Sequence, residues 1–124
     1  ATAKIANDEK FDTNINTAID PSALKSVFGD DQGTFIEILK EFVEPASSNV
    51  SEIETAYSDR SADGVAKAAH KLKSSARSVG ANDLADLCQT LEAAGKAENW
   101  EEIDMAASNL SNTLQKVVDY IDIL

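Results

Sequence analysis

The chain has 124 residues, enough to bury one hydrophobic core and too few for two. Its 5 glycines and 2 prolines leave little turn chemistry for a many-stranded β protein, so helices are the default expectation. A formal net charge of −11 excludes a general binder of nucleic acid or of anionic membranes, because the field of the whole molecule would repel phosphate-rich surfaces.

The polar opening shows no sustained apolar period and reads as a linker or tail over residues 1–16, with the folded domain spanning 17–124. It begins on Ala1 rather than Met, which fits a seam where the domain was cut from a longer protein and equally fits removal of an initiator Met. No run approaches the roughly 18 apolar residues of a membrane span, and no basic-then-apolar leader opens the chain, so a soluble fragment is expected. The single cysteine, Cys88, cannot form an internal disulfide, which suits a reducing compartment.

Asp20-Pro21 is a helix start, an N-cap carboxylate followed by proline in the first turn, and Gly29 should end that short helix after Phe28. A second helix from near Asp31 puts Phe35, Leu39, Phe42, Ala46, Val50, Ile53 and Tyr57 on one stripe, with Pro45 expected to kink it or split it in two. A third should run from Ser61 to Val79 and stop at Gly80. A fourth carries Leu84, Leu87, Cys88 and Leu91 and should stop near Gly95. Asn99 with Glu102 three residues on resembles a capping box, opening a last helix with Ile103, Leu110, Leu114, Val117 and Ile121 on one face. Short links between long amphipathic helices imply antiparallel neighbours. The expected fold is all-α, an antiparallel up-and-down four-helix bundle with an additional short N-terminal helix packed on its end.

At about 100° per residue, Val65, Ala69, Leu72, Ala76 and Val79 form the buried face of the third helix, and His70 points nearly opposite. Lys67, Lys73, Ser74 and Arg77 surround His70 at helical offsets, with Lys71 further round. Gly64 to Asn82 contains no acidic residue but holds 4 of the 11 basic ones, a positive island in a chain with 22 acidic residues. Such clustering is about as often a solvated helix face as a functional one. An exposed imidazole is in good part a neutral nucleophile near neutrality, and neighbouring cations should favour that form and then screen an attached phosphate. Lys73, by charge, and Ser74, by its hydroxyl, are best placed to hold it.

Other chemistries are poorly served. One His and one Cys do not make a zinc site, no metal-ligand set is evident, and Cys88 falls on an apolar face as a core residue. Glycine-rich nucleotide loops are absent, so the chain has no evident means of binding ATP.

The run from Ala69 through His70, Lys73, Ser74 and Arg77 to Gly80-Ala81, followed by Leu84, Cys88 and Leu91-Glu92, resembles the signature of the histidine phosphotransfer (HPt) family. The resemblance implies that His70 is the phospho-acceptor and Lys73 the lysine one turn later. Ser74 stands where the family usually carries glycine, a small docking position that serine can also fill. It further implies a phosphocarrier rather than an enzyme, taking a phosphoryl group from a receiver-domain aspartate and passing it to another, with Lys67, Lys71 and Arg77 docking on the receiver. Mg²⁺ would sit on the receiver, and no cofactor on this domain. A monomeric cytoplasmic domain is expected, either standing alone or, the favoured reading, within a hybrid sensor kinase whose parent chain would supply the kinase activity. One competing reading is an adaptor bundle in which His70 does nothing. Another is the phosphoacceptor hairpin of a histidine kinase, which predicts an acidic residue directly after the histidine, where Lys71 stands.

Overall fold

Helix boundaries follow from local capping chemistry. In the computed structural model, which describes residues 18–20 and 32–124, four helices form: α1 (Gln32–Ser58), α2 (Ala62–Ser78), α3 (Asn82–Ala97) and α4 (Trp100–Asp122). The Ser61 hydroxyl accepts from the Gly64 N–H at 3.0 Å and opens α2, and Asn99 Oδ1 accepts from the Glu102 N–H at 3.3 Å and opens α4. α2 ends at Ser78 and the chain turns at Gly80, whose φ of 82° is the left-handed geometry that lets the Ala81 N–H return to the Ala76 carbonyl at 2.8 Å. The expected short helix over 21–28 and the tail to residue 16 lie outside the described residues.

The two expected breakers, Pro45 and Gly95, act in different ways. Pro45 does not split the second helix: α1 runs unbroken from Gln32 to Ser58. Pro45 is exposed, so the carbonyl it leaves without an N–H partner sits on the face open to water, while Ala46, Val50 and Ile53 hold the helix in the core. α3 stops near Gly95 as expected, but the terminating residue is Glu98, in the left-handed region at φ 55°, after the helix runs on to Ala97. Gly95 is instead buried where α3 presses on α2. A Cβ there would lie 2.7 Å from the Ala62 carbonyl oxygen and 3.0 Å from the Ala66 backbone nitrogen and Cβ.

Tight turns make successive helices antiparallel neighbours. α1 packs on α2, α2 on α3, α3 on α4, and α1 closes the ring against α4, an up-and-down four-helix bundle. The stripes read from the sequence fill it: Leu39, Phe42, Ala46, Val50 and Ile53 of α1 meet Val65, Ala69, Leu72 and Ala76 of α2, Leu84, Cys88 and Leu91 of α3, and Ile103, Leu110 and Val117 of α4. Ala18 and Ile19 are also buried, and the Asp20 N–H donates to the Gly80 carbonyl at 2.7 Å, tying this segment to the α2–α3 turn. No strand occurs among the described residues, and none of their helices is long and apolar enough to cross a membrane.

Candidate functional site

Because α2 buries Val65, Ala69, Leu72 and Ala76, the opposite face must carry its polar side chains into solvent, and His70 sits there with 61% of its side chain exposed. Facing it from α3 is Glu92, the one charged residue buried among the described residues. A buried carboxylate is tolerated only when its lone pairs are met, and three donors meet these. Lys73 Nζ lies 2.6 Å from Oε1, His70 Nδ1 3.0 Å from Oε2, and Lys96 Nζ 3.2 Å from the same Oε2.

These contacts set the protonation of the site. The hydrogen bond from Lys73, with further ones from Lys96 and His70, outweighs the desolvation that opposes it and holds the Glu92 carboxyl down to about 2. Ionised Glu92 can only accept, so the ring proton belongs on Nδ1. Nε2, across the ring, then bears the lone pair of neutral imidazole. A buried anion thus orients the ring, as second-layer carboxylates orient histidines elsewhere.

The lysines differ in freedom. Lys73 is 22% exposed and also donates to Gln89 Oε1 at 3.1 Å, so it is held between two α3 side chains. Lys96 is 70% exposed and pairs with Glu92 of its own helix. Ser74 is exposed one turn beyond His70, its hydroxyl directed at the His70 carbonyl at 3.5 Å, the long limit of a hydrogen bond. A shallow depression of about 330 Å³ beside the imidazole is lined by Asp63, Ala66, Lys67, His70, Glu92 and Lys96.

The positive island is less positive in three dimensions than along the chain. Lys67 pairs with Asp63 at 2.9 Å, Lys71 with Glu52 of α1 at 3.3 Å, and Arg77 with Asp86 of α3 at 3.1 Å. These surface pairs are weak, on the order of 0.2–1 kcal/mol, and exchange readily. The charge nearest the imidazole is the Glu92 carboxylate rather than a lysine. Cys88 is fully buried, and burial pushes its thiol up to about 12, leaving it a core residue. No group of three or more potential His, Cys, Asp or Glu metal ligands is assembled among the described residues.

Glu92, Gln89 and Lys96 received no role from the sequence. The signal was present in outline: Leu84, Cys88, Leu91 and Gly95 define the inner stripe of α3, and Glu92 falls on that stripe. A charge at an apolar-face position requires partners from another helix.

The class of structure is thus a four-helix bundle with one solvent-facing histidine held by a buried carboxylate. The Hpt domain family model matches residues 37–121, which take in part of α1, all of α2 and α3 and nearly all of α4, and the chain belongs to that family. No curated protein and no solved structure matches the chain. Hpt domains are phosphocarriers of two-component signalling, engaging receiver domains in phosphorelays, and are not themselves enzymes.

Proposed function

We propose that His70 accepts a phosphoryl group from the aspartyl phosphate of one receiver domain and delivers it to the aspartate of another. The observation that carries this reading is the Nδ1–Glu92 contact of 3.0 Å on an otherwise exposed ring. In the forward step the Nε2 lone pair attacks phosphorus in line, the N–P bond forms, and the P–O bond breaks with its electron pair leaving on the aspartate carboxylate. No proton need move. The ring keeps Nδ1–H, and Glu92 balances the positive charge that develops on it. The reverse step serves the second receiver.

Mg²⁺ bound by the receiver would supply most of the charge neutralisation, so this domain needs only a well-oriented nucleophile. Lys73 keeps the nucleophile's anchor ionised. Lys67, Lys71 and Arg77, freed from weak surface pairs, would meet the acidic rim of the receiver, and the small Ser74 would let it approach closely. On this reading the phosphoryl group originates on another module, a hybrid sensor kinase in the cytoplasm that includes this domain.

The test is incubation with a labelled phospho-receiver. Wild type should acquire label that acid removes and alkali spares, as for phosphohistidine, and His70→Gln should acquire none. Its unfolding free energy should stay within about 0.5 kcal/mol of wild type, since the side chain is exposed. Label retained in the variant, or acid-stable label pointing to Ser74, Ser75 or Ser78, would refute the assignment.

A further inference from the structure

Of the two lysines that touch Glu92, only one is free to move. Lys73 is mostly buried, spans Glu92 and Gln89, and could reach a group on the outer ring nitrogen only by abandoning both. Lys96 is largely exposed and contacts the oxygen that also holds His70, so its ammonium already shares a hydrogen-bonding shell with the imidazole. Its pairing with Glu92 is an i,i+4 contact along α3, a type that contributes only a few tenths of a kcal/mol. Were Lys96 to leave, Glu92 would keep Lys73 on one oxygen and His70 on the other.

The shape of the surface agrees. Lys96 and Lys67 both line the depression beside His70, and Lys73 does not. Lys67 is likewise exposed, held by an i,i+4 pair with Asp63.

We propose that Lys96, assisted by Lys67, is the cation that engages the phosphoryl group once it is on His70, while Lys73 serves as the fixed counter-ion of Glu92. This rests on the phosphocarrier reading above. A phosphoryl dianion offers a mobile ammonium more charge and more acceptor oxygens than a carboxylate already met by two other donors. Lys96 would then exchange Glu92 for the phosphoryl oxygens, a positioning change confined to one flexible side chain.

The experiment uses phosphoramidate as donor, so that no receiver is needed: its N–P bond breaks, ammonia leaves, and the phosphoryl group bonds to Nε2. The ³¹P resonance of the phosphohistidine is then titrated with pH. A nearby ammonium favours the dianion, so Lys96→Gln should raise the midpoint by about 0.5 pH unit, the scale of one screened charge at contact distance. Lys96→Arg should restore it. Lys73→Gln should shift it less than Lys96→Gln while lowering the urea midpoint of unfolding, a loss Lys96→Gln should not share. A midpoint unmoved in Lys96→Gln, or moved more by Lys73→Gln, overturns the assignment of Lys96. Absence of any phosphohistidine signal in wild type would instead strike at the phosphocarrier reading itself.

Discussion

The buried carboxylate makes a quantitative claim about stability. Folding takes Glu92 from an ordinary 4.5 to about 2, chiefly through the Lys73 hydrogen bond. A carboxyl whose pKa falls on folding stabilises the native state in its ionised form. That contribution is complete above about pH 4.5, declines as pH falls, and is gone below about 2. At roughly 1.4 kcal/mol per pH unit the difference corresponds to about 3.5 kcal/mol, and water reaching the exposed His70 and Lys96 ends screens it to about 1–2 kcal/mol. Glu92→Gln keeps the volume and one acceptor for Lys73 but loses the charge and turns an NH₂ group toward other donors. It should therefore be about 1–2 kcal/mol less stable than wild type near pH 7, with the gap closing toward pH 3. Urea unfolding of both proteins followed by circular dichroism at the two pH values measures this, and the titration of the other surface carboxylates cancels in the difference. Equal stabilities near neutrality, or a deficit that does not change with pH, would refute the argument that Glu92 is an ionised anchor.

Gly95→Ala should lower the urea midpoint by the equivalent of about 1–2 kcal/mol even though alanine is the better helix former, because the new Cβ meets the Ala62 carbonyl at 2.7 Å and backbone cannot rotate away; a raised midpoint would show that α2 and α3 have room to separate. Ser74→Leu should leave thermal unfolding essentially unchanged at this exposed position yet cut receiver-to-domain transfer at least about tenfold, since a larger side chain one turn from His70 keeps the reacting atoms beyond roughly 3–3.5 Å. Transfer at the wild-type rate would move the docking surface off this face.

What the sequence disclosed and what it hid divide along a physical line. Helical periodicity is a property of one segment, so the apolar stripes of all four described helices, the outward direction of His70 and the caps at Ser61 and Asn99 could be read directly. Where a residue's role depends on a second helix, the reading failed or stayed incomplete. Gly95 carries the terminator's residue type, but its lack of a side chain serves the contact with Ala62 and Ala66, which chain order alone does not reveal. The basic run on α2 looked unopposed because Glu52, Asp86 and Glu92 lie on α1 and α3. Pro45 pointed to a kink or a split because the local cost of a missing hydrogen bond is visible, whereas the core contacts on both sides that keep α1 one helix are not.

Glu92 joins these cases. Judged by composition it is one of 22 acidic residues, and judged by face it is an error in an apolar stripe. An ionised group on a buried face must be paired or neutralised, and the lysine and histidine needed to pair it sit on the outward edge of the adjacent helix. Hydrophobic burial therefore fixes where α2 and α3 meet, and that meeting brings the carboxylate to Nδ1. The exposed nitrogen gains its orientation from the inside of the bundle, which is why a site with a single nucleophile and no loop of its own can still be well ordered.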